Sequence, residues 1–228
     1  MDWQALSLSL QLAFWTSLLL LPFALWIART LAYGRFAGRS LLEAVVLLPL
    51  VLPPTVLGFY LLAIFSPKST VGAALARVFG EPLVFSFSGI LVASLIANIP
   101  FAVQPIARAF EAIPENIREA GYVSGLTRFE TFRRIELPLA WPGIVTAMAL
   151  VFAHTLGEFG VILMMGGNIP GSTRTLAIAI YDSVQGFEYS RAGIMAATLV
   201  VIAAIAVATV LYLSRSAERL GYERRSSR

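Results

Sequence analysis

The 228 residues include no cysteine, one lysine (Lys68) and one histidine (His154), and only 13% of them are charged. Without cysteine there is no disulfide, iron–sulfur cluster or thiolate metal site, though nothing follows about redox compartment. A nucleotide-binding P-loop requires G-x-x-x-x-G-K-[ST]. The single lysine follows Pro67, so that motif is missing and the chain is not expected to be an enzyme. No aspartate falls in a long apolar run and the histidine stands alone, which leaves an intramembrane hydrolase without a catalytic set. Soluble domains carry about 25% charged residues, and about half of that cannot cover a water-soluble globule of this length.

What is abundant is apolar. Hydrophobic residues make up 58% of the chain, and the mean hydropathy is +0.79. A helix needs roughly 20 apolar residues to cross the hydrocarbon core. Five runs meet that length, which predicts an all-α integral membrane protein, one transmembrane domain over 1–228, with spans near 5–29, 42–66, 83–108, 138–165 and 191–214. Unbroken apolar runs of this length favour helices over buried strands. The start, Met1-Asp2-Trp3, lacks the basic region of a signal peptide, and its apolar run exceeds the roughly 7–15 residues of a signal core. A retained first helix is expected, with Trp3 and Trp26 at the interfaces. Thr175–Gln185 is helix-like but too short to span, which suits a re-entrant or surface helix.

The basic residues then orient the chain. Thirteen of the 17 lie in three segments: between spans one and two, between spans three and four, and after span five. By the positive-inside rule those segments are cytoplasmic, the N-terminus outside and the C-terminus inside. Contact with anionic lipid and phosphate accounts for the pI near 9.8, and no nucleic-acid partner is needed.

Inside the spans the irregular residues stand out. Pro49, Pro53 and Pro54, with Thr55 next, remove amide donors and should kink or unwind span two. Span three carries Asn98, Pro100, Gln104 and Pro105. Broken helices at membrane depth line cavities or translocation paths; an ordinary kink in a packed bundle is the other reading. His154 and Glu158 are four residues apart and share a helix face. They are too few for a metal site, and read either as a polar contact at a subunit interface or as the relay of a proton-coupled carrier. No internal repeat of the kind inverted-repeat carriers show is found.

The loop at 111–137 holds the most information. Pro114 and Glu115 suit the first turn of a helix. Gly125 supplies a left-handed stop, and Thr127 with Glu130 forms a capping-box pattern opening a second helix that Leu137-Pro138 should end. Two short helices joined at a glycine elbow are predicted. They read as a surface connector or as a docking knob for a soluble partner; a DNA-reading helix-turn-helix does not suit a segment tethered between two spans.

Within this loop, Glu119-Ala120-Gly121, Gly125 and Ile135-Glu136-Leu137-Pro138 stand at the spacing E-A-A-x3-G-x9-I-x-L-P, with Gly121 in place of the third alanine. The segment resembles the EAA loop of ABC importer permeases. Pro49-Leu50-Val51-Leu52-Pro53-Pro54 with Gly58, Gly157-Glu158-Phe159-Gly160, and Asn168-Ile169-Pro170-Gly171 followed by Thr173-Arg174-Thr175 are similar to the molybdate-transporting members, with sulfate carriers sharing parts of these motifs. The resemblance implies a type I importer architecture in the bacterial cytoplasmic (inner) membrane. It implies a homodimer of permease subunits, two copies of a cytoplasmic ABC ATPase that hold ATP and Mg, and an external or periplasmic binding protein. No cofactor or metal is then bound by this chain. Arg118, Glu119, Ala120, Gly121 and Gly125 become the coupling candidates. Pro53, Pro54, Thr55, Asn98, Pro100, Gln104, His154 and Glu158 become candidates for the path, and Arg77 and Arg174 for docking of the binding protein.

Overall fold

The computed structural model describes residues 1–226, and side chains as far as residue 209 together with Tyr212, Phe79 excepted. Arg228 and the side chains of Arg215, Arg219, Arg224 and Arg225, part of the basic excess used above, lie outside the described residues.

Every regular element among the described residues is helical. Helix α1 (Trp3–Tyr33) opens on Asp2, whose carboxylate accepts the Ala5 N–H at 3.0 Å. Helices α2 (Arg39–Val51) and α3 (Pro54–Phe65) follow, then α4 (Thr70–Phe79) and the central α5 (Phe87–Glu111). The loop after α5 holds α6 (Glu115–Val123) and α7 (Arg128–Thr131). A π-helical turn at Phe132–Glu136 leads into α8 (Leu137–Gly157). Last come α9 (Gly160–Gly166), α10 (Leu176–Gln185) and α11 (Tyr189–Ser226).

Four helical stretches are long and apolar enough to cross a membrane, and the α2–α3 pair makes up to five. That pair is bent by 109° at Leu52–Pro53, as the proline cluster predicts. Three expectations need correction. Helix α5 runs unbroken through Pro100 and Pro105, because α1 and α8 pack along both its sides and hold its axis. Span four is not continuous to residue 165: α8 stops at Gly157 and α9 begins at Gly160. Glu158 is extended there (φ −66°, ψ 124°), and its carboxylate, in place of a helical carbonyl, accepts the Val161 N–H at 3.0 Å. Leu137-Pro138 does not end the second loop helix either. The π turn shifts the hydrogen-bond register just ahead of Pro138, and the helix continues from Arg128 to Gly157.

Two of the four buried clusters among the described residues position the site. In one, Leu20, Ala24 and Ala28 of α1 meet Val103, Ile106 and Phe110 of α5 and Ile144 and Ala147 of α8. In the other, Leu57 and Leu61 of α3 pack with Ala97 of α5 and Val161 and Met165 of α9. Small residues let the helices approach closely, the usual substitute for a hydrophobic driving force in lipid. Large apolar side chains such as Phe23, Leu50 and Ile205 are left on the outside.

Candidate coupling and translocation site

The loop is built as a rigid elbow. Gly125 has φ +84°, a conformation that costs a side-chain-bearing residue roughly 1–2 kcal/mol. Thr127 caps α7: its hydroxyl accepts the Glu130 N–H at 3.2 Å while the Glu130 carboxylate accepts the Thr127 N–H at 2.9 Å. The Thr127 backbone N–H first, and its hydroxyl second, hold the Glu130 carboxyl below the usual carboxylate range. This cap is therefore intact above the ordinary glutamate pKa and weakens as pH falls through the lowered one.

The elbow's residues divide by direction. Glu119, Ala120 and Gly125 face outward. Gly121 faces inward, where an added Cβ would lie 2.7 Å from Ile135 Cδ1. Arg118 also turns inward, and its Nε donates to Glu136 Oε1 at 3.3 Å. Arg29 of α1 reaches the same carboxylate, with Nε to Oε2 at 2.6 Å and a second nitrogen to Oε1 at 3.2 Å. Glu136 is fully buried. The Arg118 guanidinium lies 3.5 Å from the Tyr33 ring centroid, and the Tyr33 hydroxyl donates to the Phe110 carbonyl at 2.9 Å. One carboxylate thus ties α1, α6 and the root of α8 together. Motif spacing marks Glu136 only as a variable position, so its part was not legible in the sequence. Val123, 89% exposed, and Phe129, 69% exposed, also escaped that reading. Both give the tip of the elbow an apolar outer surface, and their flanking Gly125 is the signal that places them there.

Four of the path candidates, Pro54, Asn98, His154 and Glu158, gather beside the breaks in α2–α3 and α8–α9. A cavity of about 90 Å³ is lined by Pro54, Leu57, Phe101, His154, Glu158 and Val161, among others. Asn98 Nδ2 donates to the Ser94 carbonyl at 2.8 Å. Its Oδ1 is therefore the acceptor for His154 Nδ1 at 3.2 Å. His154 Nε2 faces Glu158 Oε2 at 3.6 Å, and the ring stacks on Phe101 with centroids 4.1 Å apart. Phe101 was missed in the sequence, although it lies three residues from Asn98 on the same helix face. Pro53 and Thr55 are exposed beside Pro54, whereas Pro100 is buried in helix packing and Gln104 is half-buried; none of these four lines the cavity. Substituting Asn98 by alanine removes the acceptor of the half-buried His154 Nδ1–H, so thermal unfolding of the purified permease should show a loss of about 1 kcal/mol, the net value of one hydrogen bond.

Residues 21–219 match the family described as "Binding-protein-dependent transport system inner membrane component". The chain belongs to this family. It is 45% identical to the molybdenum transport system permease protein ModB of Azotobacter vinelandii, over 94% of both chains. It is 34% identical to the sulfate transport system permease protein CysT of Salmonella typhimurium, over 86% of this chain and 70% of that one. Its fold is similar to a bacterial ABC transporter that imports the acidic polysaccharide alginate, with a TM-score of 0.76, 21% identity, and coverage of 93% and 78%. The permease is thus a multi-pass inner-membrane protein.

The two docking candidates on the permease differ. Arg77 is exposed on α4. Arg174 is tied into its own loop, donating to Asn168 Oδ1 at 2.6 Å and pairing with Asp182 at 3.1 Å, while Asn168 Nδ2 donates to Asp182 at 2.6 Å. Arg174 therefore ties the segment after α9 to α10, whereas the Arg77 side chain is left exposed.

Proposed function

We propose that this chain is the membrane subunit of an ATP-driven importer that passes molybdate, and its isostere tungstate, into the cytoplasm. The observation that carries this reading is the 45% identity along 94% of a molybdenum transport permease, against 34% for a sulfate permease. Five crossings, with α2–α3 as one broken span, put the N-terminus outside and the C-terminus inside, consistent with the arginine distribution. One domain over 1–228 pairs with a second copy, and the path runs along their shared axis. Two ATPase subunits, which hold ATP and Mg, dock on the cytoplasmic elbows, and a binding protein delivers the oxyanion outside. The permease itself binds no cofactor and catalyses nothing.

ATP-driven closure of the ATPases presses on the outward residues Glu119, Ala120 and Gly125, with Val123 and Phe129 alongside. Arg118 and Gly121 seat the elbow on the membrane domain, so its displacement reaches α1 and α8. At the far end of α8, the cluster of Pro54, Asn98, His154 and Glu158 forms the constriction that opens as the breaks move. Pro53, Thr55, Pro100 and Gln104 flank it. Arg77 meets the binding protein and Arg174 holds the loop beside it. No span carries lysine or arginine at its centre, so selectivity rests mainly with the binding protein.

The Gly125→Val variant tests coupling. Nothing lies within 4 Å of a Cβ at this position, so the chain folds with only the strain of a positive φ. ATP-dependent uptake by the reconstituted complex should fall at least tenfold, since a misplaced contact remote from the chemistry can cost about 100-fold. Unchanged uptake and unchanged co-purification of the ATPase would remove the coupling role. Substrate is decided by comparing molybdate, tungstate and sulfate, with the cognate binding protein, as stimulants of ATP hydrolysis. Preference for sulfate would replace the molybdate assignment, and uptake driven by a proton gradient without the ATPase would replace the whole reading by a carrier using His154 and Glu158.

A further inference from the structure

A second cavity, of about 850 Å³, opens between the end of α1 and the coupling elbow. Arg29, Arg118 and Arg128 line it together with Trp26, Tyr33 and Thr127, and no acidic side chain does. Behind it, the buried Glu136 answers Arg29 and Arg118 together, and these are the ion pairs of the lining arginines among the described residues. Arg128 has no ion pair among the described residues. On the rim, Glu130 bonds Thr127 but also pairs with Arg134 at 3.9 Å. The cavity therefore holds three guanidiniums against one carboxylate, an excess of two positive charges.

The approach to this cavity is apolar. Trp15, Leu19, Phe23 and Trp26 are all exposed on α1. Their spacings of four, four and three place them in one stripe along the helix. The stripe continues into Arg29, Thr30 and Tyr33 at the cavity. From Trp15 to Trp26 it runs about 16 Å at 1.5 Å per residue, comparable with a fatty-acyl chain. An inorganic anion would use the cationic end and leave the stripe idle.

We propose that this stripe and cavity bind one anionic phospholipid, its acyl chain along α1 and its phosphate among Arg29, Arg118 and Arg128. Tryptophan at the headgroup level and arginines just beyond it are the chemistry of such a site. The lipid neutralises the charge excess beside the elbow and bridges α1 to α7. The inference rests on the reading of α1 as a membrane span with this end at the cytoplasmic leaflet.

The test reconstitutes the full transporter in phosphatidylcholine vesicles containing brominated phosphatidylglycerol or, separately, brominated phosphatidylcholine, and reads quenching of Trp26 as the difference between the parent and Trp26→Phe. Preferential quenching by the anionic lipid is expected, with the preference reduced about fivefold by Arg128→Gln and retained by Arg128→Lys. Added inorganic phosphate at 10 mM, roughly a hundredfold below the concentration at which salt screens within about 3 Å, should leave it unchanged. Equal quenching by the two lipids, or no effect of Arg128→Gln, overturns the site. Loss of the preference on adding phosphate overturns the lipid in favour of the free anion. Absence of quenching by either lipid overturns the placement of α1 as well.

Discussion

Replacing Glu136 by glutamine is expected to lower the unfolding free energy of the permease by about 2–4 kcal/mol and to uncouple ATP hydrolysis from uptake. Removing one partner of a buried ion pair costs about 3–5 kcal/mol, since the remaining charge is left uncompensated. Here Arg29 and Arg118 keep 33% and 18% side-chain exposure, so water screens part of that loss. Glutamine keeps the shape and one acceptor oxygen, and what disappears is the charge answering two guanidiniums. The melting midpoint of the purified subunit should fall by about 5–15 °C, at roughly 2–4 °C per kcal/mol for a chain of this size. Combining Glu136→Gln with Arg118→Met should recover part of the loss, because the partners share one network and their effects are not additive. A midpoint within 2 °C of the parent, or a double variant no better than the single one, would show that the carboxylate does not clamp α1 to the elbow.

The second large effect separates two glycines three residues apart. A Cβ on Gly160 would lie 2.8 Å from Pro54 Cβ and 3.3 Å from the Thr55 backbone nitrogen. Gly58 makes the reciprocal approach, with Met164 Cβ at 2.7 Å and Val161 Cα at 3.1 Å from an added Cβ. These two positions stitch the broken span α3 to α9. Gly160→Val forces the pair apart at backbone as well as side-chain atoms, and should destabilise by about 3 kcal/mol or more, the upper end for an overpacked core. It also pulls Pro54 from Glu158 and so should abolish ATP-dependent uptake. Gly157 meets nothing within 4 Å and ends α8. Gly157→Ala should therefore be neutral or stabilise by up to about 1 kcal/mol. Uptake and thermal midpoints of the two variants measure the contrast, and equal damage at both positions would refute it.

Much of the elbow at 111–137 was legible in the sequence. Gly125 and the Thr127–Glu130 box are local signals whose physics involves residues only a few positions apart. The 109° break at Leu52–Pro53 was legible for the same reason, since a proline lacks its donor wherever the chain goes. Pro100 and Pro105 obey the same chemistry, yet α5 stays continuous because α1 and α8, both distant in sequence, pack against it. The break at Glu158 was hidden in the opposite way. No proline marks it, and what ends α8 is a carboxylate that serves the next helix.

The sequence alone determined that this chain lives in a membrane, which of its segments are basic, and where its elbow turns. Those properties follow from composition and short-range backbone chemistry. Only the tertiary structure decided that Arg118 and Gly121 face the membrane domain while Glu119 and Gly125 face away. It alone brought Asn98 to His154, across 56 positions, and Arg29 to Glu136, across 107. A buried carboxylate or imidazole takes its role from the partner that compensates its desolvation, and that partner is chosen by helix packing.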